Sequence, residues 1–117
     1  MLRLIELRKR FDDAPVVDGV SLTVERGERL VLLGGSGSGK TTTLKMVNRL
    51  IEPDTGRIEL EDVDVASLPR HELRRRIGYV FQQIGLFPHM TVAENVGITP
   101  RLLGWPRARI AERVDEL

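Results

Sequence analysis

The segment Gly34-Gly35-Ser36-Gly37-Ser38-Gly39-Lys40-Thr41 constrains this chain more than any other. It fits the phosphate-binding pattern G-x4-G-K-[ST], and its flanks suit that pattern. Ahead of it, Leu30-Val31-Leu32-Leu33 is a continuous apolar run, the pattern of a strand buried on both faces at the centre of an α/β sheet. Behind it, Leu44, Val47 and Ile51 recur at helical spacing, with Leu50 widening the stripe, so a helix is expected from about Lys40. The glycines let the backbone curl with its N–H groups turned inward, forming a concave anion nest. The helix start adds the positive end of its dipole and its unpaired N–H groups. In this arrangement Lys40 reaches the outer phosphates as a point charge, the Thr41 hydroxyl takes a position on Mg²⁺, and Thr42 donates to an inner phosphate. A flexible Gly/Ser linker that merely contains a lysine is the alternative, and linkers seldom join two buried elements. The expected ligand is a nucleoside triphosphate with Mg²⁺.

Composition narrows the context. The chain has 117 residues, which suits one small domain, and its 41% hydrophobic content excludes wholesale disorder. Eighteen basic residues nearly balance seventeen acidic ones, against a dedicated nucleic-acid binder held by phosphate charge. Only Lys9, Lys40 and Lys45 of those basic residues are lysines, so the placement of each is informative. The absence of cysteine excludes disulfides and thiolate metal sites and fits a cytoplasmic protein. No apolar run is long enough for a membrane helix, and the first ten residues alternate apolar and charged side chains, unlike a signal peptide.

Along the chain, Leu2, Leu4 and Leu7, then Val20, Leu22 and Val24, read as strands with one wet face. A turn at residues 25–28 leads into the apolar run. Pro53-Asp54-Thr55-Gly56 ends the first helix and enters an edge strand carrying Ile58 and Leu60. Pro69 suits the first turn of a short helix reaching Arg76. Ile77-Gly78-Tyr79-Val80-Phe81 reads as a second buried strand, followed by a loop to Met90. Thr91 and Glu94 have capping-box spacing for a helix from Val92. Pro106 opens a last helix with Ile110, Val114 and Leu117 on one face. The pattern stops there without a Gly or Asn cap, which reads as a cut.

Phe11, the loop with Gly35-Ser36-Gly37, and the run Ile77-Gly78-Tyr79-Val80-Phe81-Gln82, in that order, resemble the nucleotide-binding subunits of ATP-binding cassette (ABC) transporters. The resemblance covers essentially the whole chain. It is closer still to the ATPase subunits of bacterial importers for quaternary amines (glycine betaine, choline, proline betaine) over residues 41–53, 77–95 and 102–106. It implies the fold class: α/β, a P-loop NTPase, the N-terminal part of an ABC ATPase core with an antiparallel β subdomain, residues 1–117 forming a partial nucleotide-binding domain. It implies ATP and Mg²⁺ as cofactors, transmembrane permease subunits and a second, head-to-tail ATPase subunit as partners, no nucleic acid, and a place on the inner face of the cell membrane. Residue by residue, Phe11 matches the aromatic that stacks on adenine. Without the resemblance an ordinary core aromatic at a strand end would serve as well. Gln82 matches the Q-loop glutamine, whose carbonyl ligates Mg²⁺ and releases it without a change of charge.

The family's LSGGQ signature, the acidic end of a buried strand, the D-loop and the switch histidine do not occur among these residues. Hydrolysis by this polypeptide alone is therefore not expected. A truncated, non-hydrolysing nucleotide-binding fragment and a different P-loop NTPase, such as a small kinase or GTPase, stand as alternatives. With only part of a sheet, the chain is expected to be marginally stable and to expose a strand edge and an apolar helix face.

Other features carry less. His71 and His89 do not argue a metal pair. Arg74-Arg75-Arg76 reads as a solvated helix face. Asp62 and Asp64 lie in a half-polar segment and are rejected as catalytic carboxylates, and Trp105 reads as a packing residue in a helix-to-helix connection. The apolar loop at residues 84–90, with Leu86, Phe87 and Met90, is either a docking surface for a membrane-subunit helix or packs under a neighbouring domain.

Overall fold

A computed structural model describes residues 1–83 and 85–117, which form two compact units, Met1–Ile77 and Gly78–Leu117. No helix among the described residues is long and apolar enough to cross a membrane.

The first unit is built on an antiparallel sheet of order β2-β1-β3-β4, with β1 Leu2–Phe11, β2 Ala14–Val24, β3 Thr55–Leu60 and β4 Val63–Asp64. Asp12 and Asp13, both at positive φ, make a two-residue hairpin that pairs Phe11 with Ala14. Glu61 and Asp62 repeat the device between β3 and β4, where Leu60 pairs with Val63. Strand β1 bulges at Glu6 (φ 49°), where the register to both neighbours shifts; the Ser21 hydroxyl accepts the Glu6 N–H at 2.9 Å. Strand β3 is thus an interior strand, not the expected edge, because the Glu61-Asp62 turn folds β4 along its far side.

Helix α1, Lys40–Val47, begins where the pattern predicts, and Val47 and Ile51 pack partly against the core, but the most buried positions lie to one side of the expected stripe. Thr43 and Met46 point into the core, while Leu44 and Leu50 are exposed. The helix stops at Val47, and Arg49 follows at φ 50°, so Leu50 and Ile51 leave the helical stripe the periodicity assigned them. A 3-10 turn at Val65–Ser67 and helix α2, Arg70–Arg76, complete the unit. Its core comprises Leu4, Leu7, Val17, Met46, Ile58, Val65 and Leu73. The Arg49 guanidinium donates to the carbonyls of Val65 (3.0 Å) and Leu68 (2.7 Å) and pairs with Glu52, tying the end of α1 to the segment before α2. Arg74, exposed like Arg75 and Arg76 as a solvated face requires, also donates to the carbonyls of Asn48 and Arg49, which α1 leaves unpaired at its C-terminal end.

The two expected buried strands are not formed. Residues 30–33 run without regular pairing, with Leu33 89% exposed, and in the second unit Val80 is 95% exposed. A strand exists only through its ladder, and no strand among the described residues pairs with either run. Apolar side chains are therefore exposed along both runs, though not as the strand edge expected from a partial sheet.

In the second unit, α3 spans Val92–Leu102 and α4 spans Arg107–Asp115, joined through Gly104-Trp105-Pro106 as expected. The capping box forms: Thr91 Oγ1 accepts from the Glu94 N–H at 3.2 Å, and the Glu94 carboxylate accepts from the Thr91 N–H at 2.8 Å. Trp105 stacks under the Arg109 guanidinium at 3.8 Å. Ile110 and Val114 are half-buried and Leu117 is exposed.

Candidate functional site

The glycine-rich loop lies in the first unit and ends against the β1–β2 hairpin. Gly37 and Gly39 have φ of 81° and 84°, values that favour residues without a Cβ. A side chain on Gly39 would run into the Val16 carbonyl and stand 3.2 Å from Val17 Cγ2, so only glycine lets the loop close onto β2. Among the described residues the N–H groups of Ser36, Gly37 and Gly39 have no main-chain partner. The first turn of α1 adds more free donors and contains no acidic side chain. The result is a concave run of donors at a helix start, suited to an anion.

Lys40 lies back along this loop. Its ammonium donates to Gly34 O (2.8 Å), Gly35 O (2.7 Å) and Ser38 Oγ (2.9 Å), matching its three protons with three acceptors. The same loop thus carries both a cation and free main-chain donors. Thr41 is exposed at the helix start and Thr42 is half-buried beside it. Thr43, which the sequence reading passed over, buries its hydroxyl on Gly39 O at 3.0 Å and locks the loop to the helix.

Phe11 stands at the end of β1, 43% exposed, with the Lys9 ammonium 5.6 Å from its ring centroid. It is therefore not a core aromatic. The hairpin that carries Phe11 is the one Gly39 abuts, so the aromatic and the loop belong to one packed substructure. Gln82 is exposed and belongs to the second unit, among Tyr79, Phe81 and Gln83. Phe11, the loop, Lys40, Thr41 and Thr42 are gathered in one unit; Gln82 is in the other.

The second unit holds a further organised feature. The Asn95 amide accepts from the Phe87 N–H (2.8 Å) and donates to the carbonyls of Phe87 (3.2 Å), Met90 (3.2 Å) and Thr91 (2.9 Å). One side chain thereby fixes the loop that displays Leu86 and Phe87 to solvent. Ile84, part of the apolar loop read from sequence, lies outside the described residues. Asn95 was missed as an organiser, although an asparagine in a helix's first turns is a signal for side-chain bonding to nearby main chain.

Residues 17–117 match the ABC transporter family model. The chain is 50% identical to the osmoprotectant import ATP-binding protein OsmV of Salmonella typhimurium, covering all of this chain and 32% of the relative. It is 49% identical to the glycine betaine uptake system ATP-binding protein YehX of Escherichia coli (all of this chain, 38% of the relative). It is 47% identical to the glycine betaine/carnitine/choline transport ATP-binding protein OpuCA of Bacillus subtilis (all of this chain, 31% of the relative). The chain therefore spans about a third of the length of these curated relatives. Among solved structures, it superposes on the ATP-binding cassette MJ0796, a post-hydrolysis dimer bound to ADP and Pi. That match has a TM-score of 0.83 and 30% identity, over 99% of this chain and 55% of the other. The cbiO1 structure from Clostridium perfringens matches with a TM-score of 0.83 and 30% identity, over 98% of this chain and 47% of the other.

Proposed function

Because the chain belongs to the ABC transporter family, we propose that it binds ATP with Mg²⁺ as part of the ATPase subunit of an importer for quaternary-amine osmoprotectants. Residues 1–117 carry the Walker A and Q-loop part of that nucleotide-binding domain. The observation that carries the reading is the Lys40 ammonium held over a glycine-shaped loop whose Ser36, Gly37 and Gly39 N–H groups face no main-chain partner.

The chemistry of the donors fits the ligand. Backbone N–H groups of Gly34, Gly35, Ser36, Gly37, Ser38 and Gly39 hold the phosphate tail without a counter-charge of their own. Lys40 exchanges loop carbonyls for phosphate oxygens, which are better acceptors because they are anionic. Thr41 would offer Mg²⁺ a neutral hydroxyl, a hard oxygen donor. Bound Mg²⁺ supplies charge neutralisation on the phosphates. Thr42 donates to an inner phosphate, and Phe11 presents a flat apolar face to adenine.

In the assembled protein, two ATPase subunits pair head to tail beneath the transmembrane permease subunits, on the inner face of the membrane. ATP binding closes the pair and hydrolysis resets it. The Asn95-braced loop that exposes Leu86 and Phe87 is the surface that meets the permease. The substrate class rests on likeness to relatives named for glycine betaine and choline transport.

Titration of this chain with ATP, with and without Mg²⁺, tests the site. Lys40→Ala reduces affinity by roughly tenfold or more, since a charge-assisted contact to phosphate is lost. Affinity unchanged by that substitution overturns the cradle. For the substrate class, the test is glycine betaine uptake in osmotically stressed cells lacking the subunit; uptake at the parental rate rejects it.

A further inference from the structure

The turn that follows α1 reaches back to the end of β1. Asp54 Oδ1 accepts from the Lys9 ammonium at 2.6 Å, and Oδ2 accepts from the Arg10 N–H at 2.7 Å. The Asp54 N–H in turn donates to Arg8 O at 2.9 Å. One residue therefore holds three consecutive positions, 8, 9 and 10, immediately before Phe11. The Lys9 side chain is 17% exposed, little for a lysine, and its ammonium stands 5.6 Å from the Phe11 centroid. That distance lies within the range in which a cation is attracted to an aromatic face. The Asp54 carboxyl is held below its usual range, first by the Lys9 ammonium and then by the Arg10 N–H.

We propose that Lys9 and Asp54 are positioning residues for base recognition. Asp54 seats the Lys9 ammonium against one face of the Phe11 ring and leaves the opposite face for the adenine of the nucleotide. The inference rests on the reading of Phe11 as the base-stacking aromatic. Two stacked π systems repel face to face, and a cation behind one ring draws its π density away and weakens that repulsion. The cation also fixes the rotamer of a side chain that is otherwise free at the end of a hairpin. Of the three lysines, one thus serves the phosphate end of the ligand and another the base end.

An ordinary surface ion pair would do none of this, so the test separates base from phosphate. Binding of Mg·ATP and of inorganic tripolyphosphate with Mg²⁺, a probe without a base, is measured on this chain by calorimetry. Lys9→Met and Asp54→Asn each weaken ATP by roughly two- to tenfold and leave tripolyphosphate unchanged. Lys9→Arg retains ATP affinity. Phe11→Leu weakens ATP alone, and adding Lys9→Met to it costs nothing further. If Phe11→Leu weakens ATP but Lys9→Met does not, the proposal falls and the stacking reading stands. If Phe11→Leu leaves ATP binding intact, the stacking reading itself falls. If Lys9→Met and Asp54→Asn weaken both ligands equally, the pair is merely structural and the proposal is overturned.

Discussion

The Val16 carbonyl fills the space that a side chain on Gly39 would need, and Gly39 itself sits at φ 84°. Gly39→Ala must therefore strain the backbone and push the loop off β2. The expected outcome is a loss of about 1–3 kcal/mol in stability together with loss of Mg·ATP binding. Gly35 is the internal comparison, since a Cβ there meets nothing within 4 Å. Gly35→Ala is expected to stay within about 0.5 kcal/mol of the parent. Urea denaturation followed by circular dichroism measures both; equal stability losses would contradict the geometry.

Arg49 is the second test. Its side chain is 14% exposed, and its guanidinium donates to the carbonyls of Val65 and Leu68 and pairs with Glu52. Arg49→Met keeps most of the apolar stem and removes every donor, leaving the Leu68 carbonyl without its partner while the Val65 carbonyl keeps the Leu68 N–H. A loss of about 1–3 kcal/mol is expected on thermal or urea unfolding. Arg57→Met, whose ion pair with Glu59 is more exposed, is expected to cost less than about 1 kcal/mol.

Acid should destabilise the chain through three carboxylates. Asp54 is held low by the Lys9 ammonium and the Arg10 N–H, and Glu94 by the Thr91 N–H and hydroxyl. Glu52 is held low by Arg49, partly offset by burial, and by Arg70. Each folded-state pKa lies below its unfolded value of about 3.9 for Asp or 4.3 for Glu. The stabilisation is therefore complete above those unfolded values and fades as pH falls through the lowered ones. Denaturant midpoints should be flat from pH 7 to about 5 and fall below about 4. Asp54→Asn should flatten part of that fall, and an unchanged profile would contradict the assignment.

The exposed run at Leu30, Val31 and Leu33, together with Val80 and Phe81, should make this chain associate with itself. Sedimentation velocity is expected to show species that grow with concentration. A monomer at all concentrations, with a sharp cooperative melt, would contradict this.

The loop at residues 34–41, the start of α1, the Thr91 capping box and the connection at Trp105 were all legible from sequence. Each depends on a few neighbouring residues whose preferences agree. The strands expected at residues 30–33 and 77–81 were not formed, because a strand's hydrogen bonds belong to its neighbours and hydrophobicity alone does not supply them. The buried face of α1 was only partly legible, Val47 and Ile51 packing on the core but Leu44 not, for a related reason. Leu44 fits the stripe, yet Thr43 and Met46 are what the sheet meets once Gly39 is pinned to Val16. The contacts of Lys9, Asp54 and Asn95 were illegible because they join positions many residues apart or use side chains read only as turn and helix residues.

The three acceptors around the Lys40 nitrogen also set the kinetics of the loop. Because that nitrogen is already satisfied by its own chain, nucleotide entry is an exchange of partners and never the quenching of a bare charge. Measured affinity is then the difference between two shells of oxygen, the anionic one being the better acceptor. A holder built that way regains its own contacts as it releases its guest.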